Sequence, residues 1–363
     1  MSRSFEIKRS VSLGEDGANS TKETVHFCVR PLPQNGRRRR VFTEKDLLQL
    51  ILQGVLAATV RLLPPDAWRR VCAVTSAARA ASRRRKYLQI FAARVADVLG
   101  PKSEGTAPKL FASVQRRLHE RQITCIRENT SWPPPMTEVD GIGHLEASLA
   151  AGRGAILWNT PALGDTIVTK RALATAGHPV HQLSVRSHGY SQSPFAIRYL
   201  NPRQLAVEDR FLAGRIFFEG ENTVRAMREV TRRLGRNAVV MFTNSTFAGR
   251  SFVLVPFGEC LFLPLATSPM NLAVRLGVPL HVVSTVETEP FLRYRTTISP
   301  DMRFEKAKAD ALEDDEAVAR AALRVRDVLR STVHEAPDQI RLWDTLTSLP
   351  SSTAQTPSPE PDV

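Results

Sequence analysis

The stretch that decides the fold is Arg153-Gly154-Ala155-Ile156-Leu157-Trp158-Asn159-Thr160-Pro161-Ala162-Leu163-Gly164-Asp165-Thr166. The short apolar run over residues 155–158 reads as a buried strand. Pro161 and Gly164 break it. Asp165 suits the N-cap of a helix from about residue 166 to 176, and Gly177 suits its stop. A second strand is expected at about 180–185. In such a strand–loop–helix–strand unit, polar residues of the first loop face the crevice beyond the strand ends, where ligands bind. Asn159, Thr160 and Asp165 are therefore the first candidates for chemistry.

Downstream the alternation continues. Residues 222–234 read as an amphipathic helix with Val224, Met227, Val230 and Leu234 on one side and Arg225, Arg228 and Arg232 on another. Strands are expected at 238–243, 252–257, 278–285 and 292–298. Ser268-Pro269 marks a helix start and Gly277 its stop. A helix over about 313–333 is acidic at its start and basic toward its end, as its dipole prefers. Strands alternating with helices predict an α/β fold, a mixed and mostly parallel sheet flanked by helices.

Upstream, residues 1–40 are polar and end in Gly36-Arg37-Arg38-Arg39-Arg40, which reads as a disordered basic tail. Thr43-Glu44-Lys45-Asp46 resembles a capping box opening a helix over about 43–63, closed by Pro64-Pro65. Gln49, Gln53 and Arg61 interrupt its apolar residues, so it falls short of the roughly 20 apolar residues of a spanning helix. Two readings stand for it: a helix lying in a membrane interface, or an ordinary core helix. Residues 66–128 are helical and Arg-rich, and residues from 348 onward are Ser/Pro-rich and read as a disordered tail. The expected organisation is a tail (1–40), one domain (41–347) and a second tail (348–363).

The 363 residues carry 50 Lys+Arg against 36 Asp+Glu, a formal charge of +14. Such an excess suits an acidic partner: anionic lipid, nucleic acid or an acidic carrier protein. An Arg-rich genome accounts for it equally well. No aromatic-basic platform or DNA-binding motif accompanies the charge, so nucleic acid is not an expected partner. Four scattered cysteines show neither metal-ligand spacing nor a disulfide framework. No histidine pair shows metal spacing, so no metal is expected. The N-terminal 35 residues contain no apolar signal-peptide core, and a reducing cytoplasmic setting follows by default.

Order and spacing over about residues 44–345 resemble the bacterial lauroyl/myristoyl lipid A acyltransferase family, within the lysophospholipid acyltransferase superfamily. Four blocks carry the resemblance: Leu62-Leu63-Pro64-Pro65; Gly152-Arg153-Gly154-Ala155-Ile156-Leu157; Val255-Pro256-Phe257-Gly258 with Leu263-Pro264-Leu265-Ala266 and Asn271 to Pro279; and Pro337-Asp338-Gln339-Ile340-Arg341-Leu342-Trp343. The resemblance implies an acyltransferase on the cytoplasmic face of a bacterial inner membrane, peripheral or anchored by a single helix. It would move a fatty acyl group from acyl carrier protein or coenzyme A to a lipid or lipid-like acceptor. The thioester is a co-substrate, and no cofactor is implied.

In that family the strand leads into His-x4-Asp/Glu, with the His as general base and the carboxylate orienting it. Here the carboxylate is Asp165, but Thr160 stands at the His position. A Thr hydroxyl is no base near neutral pH. Asn244 stands in the region of a second family feature, an Asp-Gln pair. His188, in the loop after the second strand, could replace the base, since such a loop would point it toward the same crevice as Asp165; an ordinary surface-loop histidine is the competing reading. Arg186, Arg210 and Arg215 fall where the family uses cations on phosphates and sugar-lipid head groups, a role that suits the guanidinium fork, and each reads equally as a solvated surface charge. The Arg225, Arg228 and Arg232 stripe reads as a carrier-protein dock or as a solvated helix face.

Two other functions compete. A non-catalytic relative would bind lipid or carrier protein without turnover. A glycosyltransferase is suggested by Pro161-Ala162-Leu163-Gly164-Asp165-Thr166-Ile167, which resembles the opening motif of heptosyltransferases. There the motif starts the protein and two Rossmann domains follow. Here about 150 residues precede it, and too few follow for two domains.

Overall fold

The computed structural model describes residues 5–14, 23–31, 40–80, 84–162, 164, 167–185, 187–218, 223–243, 250–303 and 314–350. The elements run β1 (Glu6–Leu13), β2 (Glu23–Val29), α1 (Glu44–Leu62), α2 (Pro65–Ala80), α3 (Arg84–Leu99), α4 (Ala107–Arg127), β3 (Met136–Asp140), α5 (Ile142–Ala150) and β4 (Ala155–Asn159). There follow α6 (Val168–Thr175), β5 (Val180–Ser184), α7 (Asn201–Asp209), β6 (Leu212–Phe217), α8 (Thr223–Leu234), β7 (Val239–Thr243), β8 (Ser251–Pro256) and β9 (Phe262–Ala266). The chain closes with α9 (Thr267–Leu276), β10 (Leu280–Glu289), β11 (Arg293–Ile298) and α10 (Asp314–Glu335).

The main sheet has seven strands in the order β3-β11-β10-β4-β7-β5-β6. Strands β10, β4, β7, β5 and β6 are mutually parallel, and only the β10–β11 junction is antiparallel. The fold is the expected α/β type, a mixed and mostly parallel sheet with helices on its faces. Every residue of β4 is buried. Ile156 and Trp158 face one core, shared with Val230 and Leu234 of α8, Val325 and Leu329 of α10, and Met270 of α9. Ala155 and Leu157 face the other, with Leu145 of α5 and Leu173 of α6. A strand covered on both faces reads as a continuous apolar run rather than an alternating one, which is how β4 appears in the sequence.

Gly154 enters β4 at φ +70°, where L side chains are disfavoured. A Cβ there would lie 2.6 Å from the Ala238 carbonyl oxygen and 2.8 Å from that of Leu234. Both contacts are backbone and cannot rotate away. Gly154→Ala is therefore expected to cost about 2 kcal/mol or more, combining left-handed strain with the clash. A urea titration monitored by tryptophan fluorescence reads this directly; an unchanged midpoint would contradict the geometry.

The region expected as a tail departs from that reading. β1 and β2 form an antiparallel pair, and β2 continues onto β8 and β9 in a separate four-stranded antiparallel sheet. Leu13, Val25 and Phe27 point into the main core. The outer face of the hairpin stays polar, with Ser10 Oγ 2.7 Å from His26 Nδ1. Only one face of this edge is apolar, so its composition mimics a solvated tail. Arginines 37–39 and residues 351–363 lie outside the described residues.

Helices α1, α2 and α4 close around Leu52, Leu56, Val60, Trp68, Cys72 and Ile123 and reach the sheet through Phe291. The expected capping box of α1 is present: Asp46 Oδ2 accepts from the Thr43 backbone N–H at 2.8 Å and from its hydroxyl at 2.6 Å. Among the described residues no helix is long and apolar enough to cross a membrane.

Candidate functional site

Because β4 and β5 run parallel with β7 between them, the loops that follow them leave the same edge of the sheet. Thr160 is fully buried at that edge. Its N–H donates to the Val283 carbonyl at 2.9 Å, while its hydroxyl has no partner among the described residues. Trp158 Nε1 and Gln182 Oε1, on β4 and β5, are likewise buried without a partner. A buried polar atom left unpaired costs about 1–3 kcal/mol, and such atoms mark places where a ligand or a water is held. Asn159, also buried, ends β4 beside them.

The loop after β4 is held tightly on its other side. The Arg341 N–H donates to the Pro161 carbonyl at 2.9 Å, so the 337–343 block lies along it. A Cβ on Gly164 would come within 2.7 Å of the Thr285 methyl. Thr285 Oγ1 in turn lies 2.7 Å from that of Thr169 and 2.8 Å from that of Thr296. A cavity of about 20 Å³ lined by Arg117, Glu287, Tyr294, Gln339 and Gly164 has room for about one water.

A compact charge cluster stands at the β5 side of the same edge. Glu208, on α7, is fully buried. Its Oε1 accepts from His188 Nε2 at 3.0 Å and from Gln204 Nε2 at 2.8 Å. Its Oε2 accepts from Lys170 Nζ at 2.8 Å and from Arg215 at 3.1 Å. Four donors thus occupy the four lone-pair sites of one carboxylate. Burial by itself would raise this carboxyl, but Lys170, His188 and Arg215 around it hold it well below the ordinary carboxylate range. Lys170 is 3% exposed and Arg215 5%, whereas the His188 side chain is 31% exposed.

An ionised carboxylate only accepts, so His188 Nε2 carries the hydrogen of this bond. Nδ1 has no hydrogen bond among the described residues. The His188 loop is clamped by Asn201, which is fully buried. Its Oδ1 accepts from the N–H of Tyr190 at 2.9 Å, and its Nδ2 donates to the Ser191 carbonyl at 2.8 Å. Gly189 lets this loop pass at φ +138°, pressed against the Asn201 side chain. Cys125, whose sulfur accepts from the Tyr190 hydroxyl at 3.8 Å, is no nucleophile: burial pushes its thiol up to about 11.

The N-terminal end of α1 sits on the segment that follows this loop. The Phe195 N–H donates to the Val41 carbonyl at 3.1 Å, and the Phe42 and Phe195 rings meet edge-on at 4.9 Å.

Of the residues expected from sequence, Asn159 and Thr160 lie at the crevice edge. His188 lies at the same edge, but the carboxylate on it is Glu208. Asp165, Arg186 and Asn244 lie outside the described residues. Arg215 is not available to a phosphate, because Glu208 and Asp209 (2.8 Å) engage it. Arg210 donates to the Glu128 carbonyl at 2.9 Å and to Asn129 Oδ1 at 2.5 Å. In the arginine stripe of α8, Arg232 pairs with Glu229, whose carboxyl is brought down to about 2 by Arg232 and Arg233. A shallow groove of about 420 Å³ runs along Val224, Met227, Arg228 and Thr231.

Lys170, Gln204 and Glu208 escape a reading from sequence. The available signal was slight: α7 runs on from a helical turn over Ala196–Leu200, and only the one-turn spacing of Gln204 and Glu208 is visible. Compared with known proteins, the chain matches no family model and no curated sequence.

Proposed function

We propose that the chain is a peripheral acyltransferase. It works at a membrane surface and moves a fatty acyl group from a thioester of acyl carrier protein or coenzyme A to the hydroxyl of a lipid-like acceptor. The observation that carries this reading is the orientation of α1. The helix buries Asp46 and Gln49 together with Leu52 and Leu56, while Leu47, Leu48, Ile51 and Val55 are 40–56% exposed on its outer face. The buried Gln49 amide donates to Gln122 Oε1 at 2.8 Å, which fixes this face of the helix against α4. An ordinary surface helix buries one aliphatic face and turns polar residues outward, whereas α1 carries aliphatic residues on both sides.

The outward aliphatic face is continued by Val41 and Phe42, and Arg40 and Lys45 are exposed beside it. Apolar anchors flanked by cations suit an anionic lipid surface. The same end of the helix touches the segment after His188, so an acceptor held in the interface would lie close to the sheet edge. The resemblance in the 152–157, 255–279 and 337–343 blocks supplies the reaction class. One mostly parallel sheet beside one antiparallel sheet among the described residues disfavours the glycosyltransferase alternative with its two Rossmann domains.

A second reading has one specific observation in its favour. Thr160 stands where the resemblance calls for a base, and a relative without turnover would bind lipid or carrier only. The two separate in one assay. Purified protein is incubated with radiolabelled acyl thioester, carrier-bound or coenzyme A-bound, and lipid vesicles. Labelled lipid ester together with released free thiol is the expected result. Vesicle binding without transfer from either donor would replace the enzyme with the lipid-binding relative.

A further inference from the structure

We propose that His188 is the general base of this chain and that Glu208 positions it, a base–carboxylate pair built on the loop after β5 and on α7 instead of on the β4 loop. The inference rests on the acyl-transfer reading and names the group that would do its proton chemistry.

Three features distinguish the pair from a structural ion pair. The carboxylate is wholly buried and fully satisfied, while the imidazole is partly open to solvent. The nitrogen turned away from Glu208 has no hydrogen-bond partner among the described residues, so it is the one left to meet an acceptor hydroxyl. The loop carrying the imidazole is over-determined by Asn201, Gly189 and the Val185 carbonyl, which accepts from the His188 N–H at 3.0 Å. Lys170 and Arg215 already neutralise Glu208 and its neighbour Asp209, so His188 is not needed to balance charge. Lys170 also ties the pair to α6, the helix that follows the Thr160 loop.

The step balances as follows. The acceptor O–H oxygen attacks the thioester carbonyl carbon, and its proton passes to His188 Nδ1. Glu208 stabilises the imidazolium across Nε2. The tetrahedral intermediate collapses, the C–S bond breaks, and the departing sulfur takes the proton back from Nδ1. An ester and a free thiol result, and His188 returns to its starting state.

The test uses the full chain with His188→Ala. Turnover is expected to fall by roughly 10²–10⁴. The thioester KM and vesicle binding should hold, and the thermal midpoint should fall only by what one hydrogen bond to the buried Glu208 is worth. Free imidazole added to this variant should restore part of the rate, which loss of a merely structural contact would not allow. Glu208→Gln combined with Lys170→Met removes one charge of each sign and keeps the pocket filled. It should lower kcat with little change in KM. A His188→Ala variant at wild-type rate would overturn the base assignment and leave the acyl-transfer reading standing. A wild-type protein inactive with every thioester would overturn both. Nitrogen-15 spectra of the histidines give a check free of activity: the Nε2-protonated tautomer is expected for the signal that His188→Ala removes, and the opposite tautomer would refute the pairing.

Discussion

Glu208→Gln alone is expected to destabilise the protein by about 3–5 kcal/mol, the usual cost of breaking a buried ion pair on one side. The carboxylate is fully buried and holds Lys170, itself 3% exposed, at 2.8 Å. The amide that replaces it presents one acceptor oxygen where two stood, and two donors that face Lys170 and Arg215. Lys170 Nζ is then left in a buried site without its carboxylate partner. Arg215 is less affected, since Asp209 still accepts from it. Changing Lys170→Met as well should return most of the loss, because the pair then disappears from both sides. The comparison also has a pH signature. Folding holds the Glu208 carboxyl well below its ordinary 4.5, so its contribution is complete above that value and is lost as pH falls through the lower folded one. The gap between wild type and Glu208→Gln in chemical denaturation should therefore narrow in acid. A gap that stays below about 1 kcal/mol at neutral pH would mean the cluster is solvated in solution.

How much of this was legible in the sequence depended on what each residue had to satisfy. β4, β7 and β10 are covered on both faces, so their apolar runs announce them. α1, α5 and α9 announce themselves by a capping box, a terminal Gly152 and the stop at Gly277. β1 and β2 do not, because an edge hairpin with one wet face satisfies its polar residues with solvent and looks like a tail. β6 was hidden by Arg215 in its middle, a charge that only a buried partner from the preceding helix permits. The site divides along the same line. Position 160 at the strand end follows from strand–loop–helix geometry alone, which is local. The partner of His188 lies 20 residues on, across a helix whose register no short motif fixes. Asp165 is a local reading that lies outside the described residues, while the packed carboxylate of Glu208 required knowing that α6 and α7 meet.

The outer face of α1 is expected to govern membrane binding with little effect on folding. Leu48 and Ile51 are 48% and 56% exposed, so replacing both with Gln forfeits few internal contacts. Each offers about half its surface to a lipid interface, worth roughly 1 kcal/mol apiece on the scale of a fully buried aliphatic side chain. The double variant should bind vesicles roughly 30-fold more weakly, at about 1.4 kcal/mol per factor of ten. Flotation with vesicles containing anionic phospholipid measures this, and a thermal melt within a degree or so of wild type shows that the fold is intact. Salt separates the two forces involved. The contribution of Arg40 and Lys45 is screened as ionic strength rises, whereas that of the aliphatic face is not. Wild-type binding should thus fall part-way in high salt and then level off, and the double variant should be released completely. Equal binding by wild type and double variant would deny the helix its interfacial role. The stripe would then cover itself with a second copy of the chain, which light scattering of the free protein would reveal as a dimer that the two Gln substitutions dissociate.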